Sequence, residues 1–305
     1  MAKPDIPIPK DVRDWLRSTF AECNWRLAHK MAHIPTLHET HFDLSLVEHF
    51  SNVTAPIALP SKWVVRMDIH YLGGMRHWGS WEIADIGVLF VLRRGGKVRK
   101  GKIALLQSKR LYPLEQDFEE DQPIDYQIGF GRLWQSDLAF SKSTEPRTFS
   151  FSKKCRYKAL TIDDDQYRAI RDYERKHGLP VHYMLYHPTR IPLSQSFPLT
   201  PGTYRRRRND IGVRVVPATA LRDSLSSREK GYSPSYGDLL YLLKPPFDHV
   251  EHSAGWRLEA FVDELIDCRE GYLTASPDDE GVRRVFTERG APISAAIALT
   301  IDQPE

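Results

Sequence analysis

The sequence lacks any stretch able to cross a membrane as a helix: no run approaches the roughly 18 apolar residues required. Its opening, MAKPDIPIPK, has no apolar core of a secretory leader. Cysteine is scarce: Cys23, Cys155 and Cys268 are the three among 305 residues, odd in number and widely scattered. That argues against a disulfide framework and against a cysteine-built zinc site, and it makes a reducing cytoplasm the expected setting. Charge of one sign is also lacking overall, since the net value is only +3 at pH 7. The chain therefore has no polycationic character as a whole, and electrostatic partners must be sought locally. There is no GxSxG, no Walker loop and no dinucleotide fingerprint. Gly129-x-Gly131 has neither the third glycine nor a preceding strand. No internal repeat occurs, and the four arginines Arg205, Arg206, Arg207 and Arg208 are the one low-complexity run.

The composition, 41% hydrophobic and 27% charged, is that of a soluble globular protein long enough to bury a sizeable core. Three prolines make Met1–Lys10 an extended arm, and apolar spacing predicts a helix over Asp11–Met31. After Pro35, Phe42, Leu46 and Phe50 recur every four residues and predict a second helix from Thr36. Glu39 and Asp43 fall on its core-facing side. A competing reading of Glu39 is a capping box, with Thr36 capping the helix and Glu39 reaching back to its amide. Trp63–Leu72 and Phe149–Tyr157 read as strands, Asp163–His177 as a helix capped by Asp163 and ended by Gly178, and Pro180–Tyr186 as a buried strand. Tyr112–Gln122 reads as a loop or short helix, and Asp125–Trp134 as a short helix carrying Gln127. Gly212–Pro217 is a further strand, Ala218–Leu225 and Trp256–Cys268 are helices, and Ile293–Ile301 is a last apolar run. The pattern predicts an α/β fold, a mixed sheet flanked by helices, with a mainly helical C-terminal extension. The expected division is an arm and helix over 1–35, a core over 36–220, and the extension over 221–305.

The chemistry concentrates in Trp81–Arg110. Two apolar runs, Ile83–Leu92 and Ile103–Leu106, flank a Gly95-Gly96 turn and predict a β-hairpin. Asp85 lies eleven residues before Gly96 and Gln107 eleven after it, so pairing about the turn brings Asp85, Gln107 and Lys109 to one sheet end. A carboxylate inside an apolar strand is costly unless something binds it. Phosphodiester hydrolysis needs an activated water and neutralisation of developing charge, both of which a divalent cation supplies. Mg²⁺ (or Mn²⁺) takes oxygen ligands. Asp85, the Gln107 side-chain oxygen, the Ser108 carbonyl and Glu39 are the candidate donors, with Lys109 placed beside the attacked phosphate. The bland alternative is that Gln107 and Lys109 end a strand at the surface while Asp85 pairs with Arg66 or a nearby lysine. His29-x3-His33 has the spacing of a zinc pair on one helical face, but no third ligand accompanies it.

Taken with the helix bearing Glu39, ADIGVLF at Ala84–Phe90 and ALLQSKR at Ala104–Arg110 resemble the PD-(D/E)XK, restriction-endonuclease-like nucleases. That family's core is a helix, a three-stranded antiparallel meander, a second helix and a further strand. The resemblance gives Asp85 the family aspartate, Gln107 the variable acidic position and Lys109 the lysine. Glu39 takes the first-helix glutamate and Gln127 a second-helix glutamine. Position 107 departs from the pattern, because Gln is a neutral ligand. The resemblance implies a Mg²⁺-dependent endonuclease acting on DNA in bacterial or phage defence, with a possible homodimer and an activating partner protein. It leaves open RNA as a substrate. It also leaves open a catalytically degenerate module that binds nucleic acid or a partner protein. Basic residues at the hairpin turn (Arg93, Arg94, Lys97, Arg99, Lys100) and the Arg205–Arg208 run are the expected nucleic-acid contacts. Taken alone, either cluster also reads as a solvated turn or loop.

Overall fold

The structure, a computed structural model, describes residues 7–71, 83–114, 147–197, 211–243, 255–267, 270–274, 276, 278–287 and 293–304. Helix α1 (Lys10–His33) buries Val12, Leu16, Phe20, Leu27 and Met31. Helix α2 (Glu39–Ser51) buries Phe42, Leu46, Val47 and Phe50. Each such side chain contributes about 1.5–3 kcal/mol by leaving water. The strands that follow are β1 (Ile57–Ala58), β2 (Val64–Tyr71), β3 (Ala84–Arg94), β4 (Lys97–Arg110) and β5 (Arg147–Phe151). Helix α3 (Asp165–His177) leads to β6 (Val181–Tyr186), β7 (Leu193–Phe197) and β8 (Arg214–Pro217). Then come α4 (Ala218–Ser224), α5 (Leu240–Leu243), β9 (Trp256–Arg257), α6 (Leu258–Ile266), β10 (Tyr272–Thr274) and α7 (Glu280–Val282). A π-turn at Arg283–Thr287 precedes β11 (Ile293–Gln303).

The fold is mixed α/β. Among the described residues one nine-stranded sheet runs β1-β2-β11-β3-β4-β6-β8-β9, with β10 paired to β4, and β5 pairs with β7 separately. The hairpin forms in the expected register: Ile86 faces Leu106, and pairing runs in step to Leu92 opposite Lys100 before one irregularity at Arg93. Gly95 and Gly96, with φ of 56° and 68°, supply the two left-handed residues that a type I′ turn requires. The meander does not form as expected. β11 lies between β2 and β3, antiparallel to the first and parallel to the second. Its sequence, ISAAIALTIDQ, is nearly continuous in small and apolar residues, as suits a strand covered on both faces. Residues 221–305 are thus not a mainly helical extension, since β9, β10 and β11 all join the main sheet. Helix α3 starts two residues later than the predicted span, and its cap moves by one. Asp164, not Asp163, accepts the Tyr167 amide at 2.7 Å, and Asp163 takes a positive φ of 60°.

β4 runs parallel to β6, with Gln107 opposite Tyr183 and Ser108 opposite Met184. β6 accompanies it to its last residue while β3 is paired with it as far as Leu106, and Gly101 through Arg110 are all buried. This burial sets the terms for any chemistry at the strand end.

Candidate active site

Helix α2 delivers two carboxylates to the end of β4. Its N-cap is His38 in an extended conformation with no side-chain cap, so the Thr36–Glu39 capping box does not form. Glu39 instead turns outward from its own helix. Its Oε1 accepts the Arg110 backbone N–H at 2.9 Å, and its Oε2 lies 3.7 Å from Lys109 Nζ. The Arg110 guanidinium donates to the Leu37 carbonyl, so the residue before the cap is tied to the same strand end. One turn further on, Asp43 accepts the Ser108 hydroxyl at 2.5 Å and the Tyr186 hydroxyl at 2.6 Å, both on Oδ1. The Phe42 ring packs 5.2 Å from the Tyr186 ring and steadies that hydroxyl.

The hairpin delivers the remaining groups. Asp85 Oδ2 accepts the Gln107 side-chain amide and the Ser108 backbone N–H, each at 2.6 Å. The same Gln107 nitrogen lies 3.5 Å from the Ser108 carbonyl. Gln107 and Lys109 are only 2% and 4% exposed, so the reading in which they end a strand at the surface fails. Arg66 is not on Asp85 either, since its guanidinium pairs with Asp68 at 2.6 Å. The Gln107 side-chain oxygen is buried with no hydrogen-bond partner. An unmet buried acceptor costs about 1–3 kcal/mol, and here it sits on a residue already touching a carboxylate.

Electrostatics separate the two helical carboxylates. Burial pushes the Asp43 carboxyl well above the usual carboxylate range, and the charge of Asp85 adds to the shift. The Ser108 and Tyr186 donors pull the other way without prevailing, and Glu39 raises it further. Burial likewise drives the Tyr186 phenol far up, with Asp43 contributing. Asp43 and Asp85 thus share a desolvated corner in which negative charge is crowded, while Glu39 is the partner of Lys109.

The acceptors at this strand end are all oxygens: Asp85 and Asp43, which both border Ser108, with the Gln107 side-chain oxygen and the Ser108 carbonyl on the same short stretch of β4. That set suits a hard cation such as Mg²⁺ and none of the softer metals that select thiolate or imidazole. Among the described residues no group of three or more His, Cys, Asp or Glu side chains is arranged to hold a metal, so any cation would rest on two carboxylates plus neutral oxygens. Asp43 is the residue whose role the sequence reading missed. Its signal was its spacing, four residues after Glu39 on the same helical face. His29 and His33 do meet, with their Nε2 atoms 3.0 Å apart on α1.

The basic residues divide. Arg93, Arg94, Lys97 and Arg99 are exposed at the hairpin turn, but that turn lies at the opposite end of β3 and β4 from Asp85. At about 3.4 Å per residue the separation is roughly 30 Å. Lys102 is buried and donates to the Glu270 and Gly271 carbonyls. Gln127 and Arg205–Arg208 lie outside the described residues. Comparison with family models, with curated proteins and with solved structures yields no match to this chain.

Proposed function

We propose that this chain is a divalent-metal-dependent nuclease that hydrolyses DNA phosphodiester bonds at the end of strands β3 and β4. The observation that carries this reading is the Gln107 amide: its nitrogen donates to Asp85 while its buried oxygen has no partner, beside an Asp43 whose carboxyl is pushed up by burial and by the Asp85 charge. The Gln107 amide nitrogen bridges Asp85 and the Ser108 carbonyl. Half a turn of that amide exchanges its nitrogen for the unpartnered oxygen and creates an all-acceptor corner, which a cation would satisfy. Asp85, Asp43, Gln107 and the Ser108 carbonyl would hold Mg²⁺ or Mn²⁺. The ion would supply charge neutralisation and an acidified water. Lys109, held by Glu39 at 3.7 Å, is the positioned ammonium that meets charge developing on the phosphate. Glu39 is then a positioning residue for Lys109 and the strand end, not a ligand.

The test is incubation of the purified protein with plasmid and Mg²⁺ or Mn²⁺, beside Asp85→Ala and Lys109→Ala. Cleavage that needs the metal and disappears in both variants supports the reading. Equal trace activity in all three proteins ends it, and parallel RNA substrates decide between nucleic acids. A second reading, a degenerate nuclease-fold module that binds nucleic acid or a partner protein, is favoured by one observation. Gln107 already satisfies Asp85 at 2.6 Å with no ion required. A bacterial or phage-defence setting, a homodimer and an activating partner protein belong to the proposal through the resemblance alone.

A further inference from the structure

The strand that carries Lys109 continues into a ladder of cations laid on aromatic rings. Arg110, 2% exposed, sits with its guanidinium carbon 3.9 Å from the Tyr112 ring centre. Lys158 Nζ lies 5.3 Å from the same ring. The Tyr112 amide donates to the Arg156 carbonyl at 3.0 Å, which fixes the 153–158 turn against the exit of β4. The Arg156 guanidinium carbon is 4.9 Å from the Tyr232 ring centre, and that of Arg228 is 5.0 Å from it. Arg156, Lys158 and Arg228 are all exposed.

A ring face orders a cation without neutralising it, unlike a carboxylate. Arg228 is paired with Asp238 at 2.7 Å, but among the described residues Arg156 and Lys158 make no ion pair. Their charge is fixed in place and still available to an anion. The hairpin-turn cations, by contrast, lie roughly 30 Å from the candidate site, the length of about nine base pairs.

We propose that the phosphate backbone of DNA enters the site along this ladder, from Arg228 and Tyr232 through Arg156 and Lys158 to Tyr112, and not along the hairpin turn. The ladder deepens the nuclease reading and rests on it for the choice of DNA. The rings act as shelves for the cations, so the contact is to phosphates and carries no base sequence.

The experiment measures fluorescence anisotropy of a labelled duplex oligonucleotide in chelator, so that no cleavage intervenes. Arg156→Glu/Lys158→Glu is compared with Lys97→Glu/Arg99→Glu and with the wild-type chain across a salt series. Each lost phosphate contact removes about 0.9 from the slope of log affinity against log salt. The ladder variant is expected to lower that slope by about 1.8 and to weaken binding at least tenfold at moderate salt. The hairpin variant stays within about twofold of wild type. Arg156→Lys/Lys158→Arg, which keeps both charges, restores binding and shows that loss is not misfolding. The reverse ranking of ladder and hairpin variants overturns the proposal, as does a wild-type chain that fails to bind at low salt. Because binding is read without metal, intact ladder-dependent binding with an uncut plasmid would sink only the nuclease reading.

Discussion

Gln107→Glu is the most revealing substitution, because it restores an acidic residue at the one position where the sequence departs from its resemblance. The change replaces the Gln107 nitrogen, 2.6 Å from Asp85 Oδ2, by a second carboxylate oxygen. Two unit charges at that spacing repel by about 6 kcal/mol at an effective dielectric of 20. The pair avoids this by sharing a proton, as close carboxylates do. Holding a proton against a pKa near 4 costs about 1.4 kcal/mol per pH unit, hence about 5 kcal/mol at pH 8 and about 3 at pH 6. The charged groups facing the new carboxyl do not cancel this. Asp43 adds negative charge, and Lys109 is already engaged by Glu39. The raised folded-state pKa sets the sign: the variant is most stable below about pH 4 and loses stability as pH rises through that pKa. At about 2 °C per kcal/mol for a chain of this size, melting in chelator falls by about 10 °C at pH 8. Saturating Mg²⁺ should recover most of that loss and raise the variant by more than it raises wild type. Thermal melts at pH 5, 6, 7 and 8, with and without Mg²⁺, make the measurement. A melting difference that does not change with pH, or a variant indifferent to Mg²⁺, would refute the claim that positions 85 and 107 share a cation-binding corner.

Three further outcomes follow from the same geometry. Asp43→Asn should melt higher than wild type at pH 8 in chelator, and the gap should close toward pH 4. Burial and Asp85 raise the Asp43 pKa, so the wild-type carboxyl weakens the fold only as pH climbs from its unfolded value through the raised one. The same variant should lose the stabilisation by Mg²⁺. Lys109→Met should slow plasmid cleavage by about 10²–10³-fold yet keep its Mg²⁺-induced rise in melting temperature, because the ammonium is not a ligand. Tyr186→Phe deletes the 2.6 Å donor to Asp43 and should cost about 1–2 kcal/mol in urea unfolding at pH 8, an effect that should vanish in an Asp43→Ala background, where no acceptor is left.

What the sequence revealed and what it concealed divide on physical lines. The hairpin register was legible because a two-glycine turn fixes it locally: equal spacing about Gly96 placed Asp85 opposite Gln107, and the paired strands obey that register. The position of β11 was not legible. Ile293–Ile301 announces a buried strand, but an apolar run does not name its neighbours, and here both neighbours come from more than 190 residues earlier. Glu39 and Asp43 were legible as one helical face and illegible as two roles. The difference lies in one turn of helix, which sets Glu39 over the Arg110 amide and Asp43 over the Ser108 hydroxyl. The hairpin cations looked close to the chemistry because they are near in sequence. A strand separates them from it by its full length.

The candidate site is a property of the whole sheet. Asp85 is the second residue of β3, and the groups that hold that end come from three directions. Gln107 and Ser108 of β4 grip its carboxylate. The first residue of β11, Ile293, pairs with Ala84 on the other flank. At Gly87, two residues on, an added Cβ would lie 2.7 Å from the Ile293 side chain and 3.1 Å from Phe286, so β11 and the π-turn press against the same stretch of backbone. Helix α2 closes the third side through Glu39 and Asp43. The strand that seats Asp85 is therefore fixed by a segment near residue 293 as much as by its hairpin partner. A boundary drawn at residue 220 would leave β3 with an open flank beside the acid on which the proposed chemistry depends.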